Sequence, residues 1–315
     1  MKVDLRIKIG GVTFPNPVLL AAGPLGRNAQ SMAAVTQAGA GGIVTKTISL
    51  EAREGFPHPR LFSPSPFMLI NAFGGPNPGL NAFQEIIRSA KKEISVPLVG
   101  SIVARSLDEL VRLAAGVAGA GADMLELNFK VLMEMDDPKK FLSLSIQKVK
   151  EVVRVPVGAK LTPHRPMEIS KLAAVAQEAG ADFLTLINTV PAMSIDIETF
   201  RPRLGNSMAA YYSGPAVKPL AVKCIAEAAR SVKIPIFGVG GCANAEDAIE
   251  MILAGAQAVQ ICTAAMVKGP KVFPEILSGM VDYLARKRIS KVEDLCGKAL
   301  PHLSGRSFNE ELLNK

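Results

Sequence analysis

Eight short, mostly apolar runs punctuate the 315-residue chain, at 18–22, 43–47, 97–102, 123–128, 156–161, 182–188, 234–239 and 257–262. Their apolar residues are consecutive rather than alternating, the pattern of strands buried on both faces in a parallel sheet. Between the runs the spacing turns helical; Ile169, Leu172, Ala173 and Ala176 share one face. Four junctions are near-copies: Ala38-Gly39-Ala40-Gly41, Ala120-Gly121-Ala122-Asp123, Ala179-Gly180-Ala181-Asp182 and Ala254-Gly255-Ala256-Gln257. Each closes a helical pattern with a glycine that permits a left-handed cap, and opens the next apolar run. This alternation predicts an α/β fold, a (β/α)8 TIM barrel. Residues 3–16 predict a hairpin that plugs the barrel bottom. A Pro- and Gly-rich stretch, 53–79, forms an irregular excursion after strand 2, and 189–214 a second long loop after strand 6. No linker interrupts the pattern, so residues 1–315 are expected to form one domain.

Composition narrows the function. The chain is 49% hydrophobic and 20% charged, which excludes disorder. Its four cysteines, Cys224, Cys242, Cys262 and Cys296, stand too far apart for a CxxC metal, redox or iron–sulfur pattern, and no metal site is expected. The net charge of +8 is spread in short pairs such as Lys91-Lys92 and Lys139-Lys140, without an aromatic stacking platform. Small anionic ligands therefore fit better than nucleic acid. The opening residues, Met1 to Arg6, lack the apolar stretch of a secretion signal, and no run reaches the ~18 residues of a membrane helix. The expectation is a soluble, cytoplasmic protein.

The C-terminal ends of barrel strands carry the chemistry of this architecture. Here they present Ala22-Gly23, Thr45-Lys46-Thr47, Ser101, Asn128, Lys160, Asn188, Gly240-Gly241 and Cys262-Thr263, with Asn71 just beyond. A lysine at the end of an apolar strand can snorkel to water or pair with a carboxylate. Two lysines and three asparagines in register point instead to a polar pocket. Gly240-Gly241 after strand 7, Cys262-Thr263 after strand 8 and Ser213-Gly214 before helix 6 suit backbone capture of a phosphate.

In order along the chain stand Asn16-Pro17-Val18, Ala21-Ala22-Gly23, Thr45-Lys46-Thr47, Pro57-His58-Pro59-Arg60-Leu61 and Asn71-Ala72-Phe73-Gly74-Gly75-Pro76-Asn77. Glu126-Leu127-Asn128, Lys160-Leu161-Thr162-Pro163, Ile187-Asn188-Thr189, Ser213-Gly214-Pro215-Ala216 and Gly240-Gly241 follow. Together, over about residues 3 to 285, they resemble the dihydroorotate dehydrogenase family of FMN barrels. Val259-Gln260-Ile261-Cys262-Thr263-Ala264 is closer to the FMN domain of dihydropyrimidine dehydrogenases. The resemblance implies FMN as cofactor. Lys160 would lie near N1 and O2 of the flavin, Ala22, Gly23 and Asn188 along the ring, and Ser213, Gly214, Gly240, Gly241, Cys262 and Thr263 around the phosphate. Lys46, Asn71, Asn128, Asn188 and Thr189 would line the substrate side, with Lys46, Thr47 and Asn128 also close to the cofactor.

One departure stands out. Where the family places its catalytic cysteine, this chain has Val131, inside Asn128-Phe129-Lys130-Val131-Leu132-Met133, and Met133 replaces a substrate-binding asparagine. Valine cannot accept a proton. Lys130, Glu134 or His164 are the candidate replacements, with Lys46 also in reach of the substrate. Three readings follow. The first is an FMN-dependent CH–CH oxidoreductase with altered substrate or base, on a pyrimidine-like or less polar unsaturated ring. The second is a flavin- or phosphate-binding barrel that has lost catalysis and serves as a partner subunit; the third is a flavin-free phosphosugar enzyme. With no cysteines for clusters, NAD-linked electron transfer would need a separate FAD and iron–sulfur subunit. The resemblance also implies a homodimer.

Overall fold

The computed structural model describes residues 3–163 and 169–304, the side chains of 133 and 134 apart. Eight parallel strands close a barrel in sequence order: β1 (Val18–Leu20), β2 (Ile43–Val44), β3 (Leu98–Ile102), β4 (Met124–Asn128), β5 (Val157–Leu161), β6 (Phe183–Leu186), β7 (Ile236–Val239) and β8 (Ala258–Ile261). Helices α1 (Ala29–Gln37), α2 (Gly79–Glu93), α3 (Leu107–Gly119), α4 (Pro138–Val152), α5 (Ile169–Glu178), α6 (Lys218–Ala229) and α7 (Ala245–Leu253) follow the first seven strands; α8 (Thr263–Lys268) and α9 (Val272–Arg286) follow the eighth. Four of them start at side-chain caps, Asn28, Ser106, Asp137 and Asn244, each accepting a free backbone N–H. The consecutive apolar runs are buried on both faces as their pattern required; every residue of β1, β3 and β6 is buried.

The predicted hairpin is present, with Ile7–Ile9 antiparallel to Val12–Phe14. Phe14 meets Phe237 edge-to-face at 5.9 Å, and Phe237 meets Phe183 at 5.2 Å. The Phe183 ring fills the space beside Gly158, where a Cβ would come within 2.2 Å of it. These rings fill the barrel at its N-terminal end.

The near-copied junctions have a shared purpose there. Asp123 accepts the N–H of Leu98, Asp182 that of Val157 and Gln257 that of Ile236, at 2.7–2.8 Å. Each opens an even strand and satisfies the first N–H of the odd strand before it, which begins beyond the reach of the ladder. Lys91 from α2 and Lys150 from α4 neutralise the two carboxylates at 2.7 Å. In the first copy Gly41 has no side chain, and Asn16 takes over by accepting from Val18 N–H. Asp182→Ala strands the Val157 amide, and is expected to cost about 1–3 kcal/mol in urea unfolding, with Asp182→Asn costing less.

The excursion over 53–79 is more ordered than its composition predicted. Leu61–Ser65 and Met68–Asn71 pair antiparallel, and Met68–Asn71 pairs in turn with Tyr211–Ser213, which pairs with Val190–Pro191. The two long loops thus knit one four-stranded sheet over the C-terminal mouth of the barrel. The strand Leu61–Ser65 contains Pro64, but it is an edge strand with a register shift between Phe62 and Ser65, where a missing N–H is harmless. β2 ends earlier than expected, because the Lys46 N–H turns to the Gly26 carbonyl instead of the ladder.

Candidate active site

Between the barrel mouth and this sheet lies a cavity of about 370 Å³. Ala22, Gly23, Lys46, Thr47, Asn71, Asn128, Lys130, Val131, Lys160, Asn188, Thr189, Ser213, Gly214, Gly240, Gly241, Cys262 and Thr263 all line it, so the structure brings the expected site residues into one space, Glu134 and His164 apart; the Glu134 side chain is not among those described. His164 lies outside the described residues. The charged residues lining the cavity are Lys46, Arg53, Arg105, Lys130 and Lys160; among the described residues no carboxylate joins them.

The floor is a buried polar chain that the strands dictate. Lys160, 4% exposed, points from β5 to Glu126 of β4 at 3.5 Å, and Glu126 is wholly buried. Glu126 also accepts from Ser101 Oγ at 3.0 Å and Gln260 Nε2 at 3.4 Å. Ser101 touches Thr47 at 3.1 Å, Asn128 Nδ2 donates to Thr47 at 3.3 Å, and Asn188 Nδ2 donates to Asn128 Oδ1 at 2.9 Å. A carboxylate buried this deeply requires a paired cation and satisfied lone pairs, and here it has both. Glu126 and Gln260 carry no role in the sequence reading. Their signal was available all the same, because a polar residue inside an otherwise apolar buried strand points into the barrel or pays for its burial.

Lys46 sits on the wall nearby. Burial pushes its ammonium below the usual lysine range; Cys262 opposes that shift, and the charge of Lys160 adds to it. Burial also pushes the Cys262 thiol up, against the pull of Lys160 and Lys46. Of the three asparagines, Asn71 Nδ2 donates to the Tyr211 carbonyl, and the other two belong to the Thr47–Asn128–Asn188 chain. An amide carries two N–H donors and these bonds use one from each, leaving three for a ligand. Lys130 turns its ammonium onto the Tyr211 ring, 3.2 Å from the centroid. Val131, beside it in the chain, offers the cavity only methyl groups.

At the far end three glycines form a cradle. Gly214, Gly240 and Gly241 have φ of +124°, +126° and +82°, and a Cβ on Gly241 would lie 2.6 Å from the Lys218 backbone nitrogen. Lys218 is not itself a free cation for a phosphate. Its ammonium is bound by Asp247 at 2.8 Å and Glu250 at 2.6 Å, whose hydrogen bonds raise its pKa. Thr263 and Ser213 join hydroxyls at 2.9 Å across the cradle's rim. Gly23 faces Cys262, whose sulfur would stand 2.6 Å from a Cβ there. Within this floor, Gln260 Oε1 is buried and has no donor among the described residues. A flat cofactor with a ring N–H at one edge and a phosphate at the other fits these features: the bare glycine face, the orphaned acceptor and the cradle.

The family model for dihydroorotate dehydrogenase matches residues 4–284. The chain belongs to the dihydroorotate dehydrogenase family. Among its relatives is the dihydroorotate dehydrogenase B (NAD(+)) catalytic subunit of Methanothermobacter thermautotrophicus, 40% identical over 304 residues covering 94% of this chain and 98% of the relative. The same-named subunits of Pyrococcus abyssi and Pyrococcus horikoshii are each 39% identical, covering 94% and 95% of this chain and 99% of each relative. Dihydroorotate dehydrogenases are FMN-dependent oxidoreductases that act on CH–CH donors, and this chain is an oxidoreductase of that family. Among the described residues no helix is long and apolar enough to cross a membrane.

Proposed function

We propose that the protein binds FMN in this cavity and oxidises a CH–CH bond of a small carbonyl-bearing ring, or reduces the corresponding C=C bond, with the substrate shifted away from dihydroorotate. The observation that carries the reading is the convergence of the glycine cradle, the orphaned Gln260 acceptor and the Lys160–Glu126 pair in one cavity of a family member. FMN, when bound, supplies the two-electron acceptor. Gly214, Gly240, Gly241, Ser213, Cys262 and Thr263 would hold its phosphate. Ala22, Gly23, Thr47 and Gln260 would line its ring, and Lys160 would offset negative charge on the reduced ring. Asn71, Asn128, Asn188 and Thr189 would orient the substrate's amide or carbonyl groups, and Lys46 its anionic group. Val131 is the reason to expect a shifted substrate: dihydroorotate chemistry in the family draws a proton to that position.

The purified protein should be yellow, or become so with added FMN; a colourless preparation without flavin absorbance after FMN addition overturns the reading. Anaerobic bleaching with dihydroorotate, dihydrouracil and reduced cyclic ketones then ranks substrates. Bound orotate should weaken as pH rises through the titration of Lys46, because the ammonium that holds the carboxylate is lost. Burial places that loss below the ordinary lysine value of about 10.4. Flavin absorbance titrated with orotate at several pH values checks it.

The relatives are named as catalytic subunits. We infer a separate electron-transfer subunit for this chain as well, carrying FAD and an iron–sulfur cluster, and a homodimer as the core of the assembly. Light scattering on the purified chain tests the dimer. A cytoplasmic location completes the reading.

A further inference from the structure

We propose that Tyr211 is the proton-exchanging residue of this site and that Lys130 is the residue that positions and charges it, together replacing the group absent at Val131. The inference rests on the oxidoreductase reading above and fills the one role that reading leaves open.

Tyr211 lines the cavity from the sheet that covers the barrel mouth. Its backbone is held in register with Asn71, whose side chain donates to the Tyr211 carbonyl at 3.2 Å, so the two residues sit opposite each other in the sheet over the cavity. Lys130 is the chain neighbour of Val131, and its ammonium lies 3.2 Å from the centre of the Tyr211 ring. An ammonium that close to the ring lies within about 4–6 Å of the phenol oxygen, the range in which an opposite charge favours the ionised form. The other charged groups on the cavity wall, Lys46, Arg53, Arg105 and Lys160, are cations too, and Lys160 is already paired with Glu126. Across from it, the Asn71 and Asn188 amides carry no charge. The charges described on the cavity wall are thus all of the sign that favours phenolate at Tyr211.

The other protic groups on the wall are less suited. Cys242 is buried, its thiol pushed up by burial, and it turns to the Asn244 carbonyl. Cys262 stands against Gly23 on the cofactor side of the cavity. Lys130 has its ammonium against the Tyr211 ring.

In the oxidation direction the carbon next to the substrate carbonyl gives its proton to the Tyr211 phenolate, forming an O–H bond. The adjacent carbon would lose its hydride to FMN, which when bound would supply the two-electron acceptor, and the two C–H bonds would give way to one C=C bond. The two electrons lost by the substrate would be those that bound FMN takes up, and the Tyr211 phenol returns its proton to water. The reverse direction delivers the phenol proton and a hydride across the C=C bond.

The chain has three tyrosines and no tryptophan, so phenolate absorbance is easily read. The difference between the full-length wild type and Tyr211→Phe, titrated with pH, isolates the Tyr211 phenol. It should ionise below the ordinary tyrosine value of about 10. Lys130→Met should raise the midpoint by about a unit and Lys130→Arg restore it. In the FMN-loaded enzyme, Tyr211→Phe should slow flavin reduction by dihydrouracil about 10²-fold or more with flavin binding unchanged, and Lys130→Met should shift the pH–rate limb upward. An ordinary midpoint that ignores Lys130→Met, or a Tyr211→Phe enzyme that reduces flavin at the wild-type rate, overturns the proposal. A Lys130→Met loss far larger than that of Tyr211→Phe would assign the proton to Lys130 and also overturn it. A protein that binds no flavin defeats the oxidoreductase reading instead, and leaves the phenol titration to decide this one.

Discussion

Val131→Cys should raise dihydroorotate oxidation above the wild-type rate, by less than the full range of about 10²–10⁴-fold that general acid–base help supplies, because Tyr211 already exchanges a proton in the wild type. The residue lines the cavity one position after Lys130 and three after Asn128, whose side chain is fixed between Thr47 and Asn188. The backbone around it is a short 3-10 turn over Phe129–Glu134, tied down by the Lys130 N–H bond to Asn128 Oδ1. A thiol placed there meets the same wall as valine, with little change in volume. The measurement is the anaerobic rate of flavin bleaching by dihydroorotate, with orotate affinity as the control for an intact pocket. An unchanged rate with unchanged orotate affinity would mean that substrate no longer reaches over this turn.

Lys160→Met is expected to destabilise the protein by about 3–5 kcal/mol, whatever it does to the flavin. The reason lies in Glu126, which is fully buried and has Lys160 as its neutralising charge. Methionine fills most of the lysine volume, so packing changes little and the loss measures an unpaired buried carboxylate. Lys160→Met/Glu126→Gln should recover most of the stability, because glutamine keeps the hydrogen bond from Ser101 without the charge. Urea unfolding of the single and double variants separates the two cases. Equal losses would assign the cost to packing alone.

The barrel was legible because its strands are the one part of the chain where apolar residues run together, and the junctions repeat. Its lower rim was legible for the same reason, although the use of Asp123, Asp182 and Gln257 as amide acceptors became clear only with the strands in place. Strand-end polar residues such as Lys46, Asn128 and Lys160 could be placed by counting along each run. The upper sheet could not. Proline in Leu61–Ser65 hides a strand that tolerates it at an edge, and the partners of that sheet come from loops far apart in sequence. The Lys130–Tyr211 contact is invisible for that reason: it depends on how one loop closes over another. The flat role of Glu126 was hidden by its apolar neighbours, Leu125 and Leu127, which mark a strand and say nothing of what it carries inward.

The amide locks at the lower rim bear on how this protein can change. Asp123, Asp182 and Gln257 each pin a pair of neighbouring strands from below, and Asn16 ties the start of β1 to the Gly39 carbonyl ahead of β2. Strand alignment is therefore decided at the end of the barrel away from the cavity, and in four independent places. The loops above inherit a finished frame and have no part in setting it. A turn such as Phe129–Glu134 can exchange a proton acceptor for a hydrocarbon, or be transplanted whole from a relative, at a cost confined to its own contacts. New chemistry on this scaffold is a question of loop grafting, with the frame as a fixed platform.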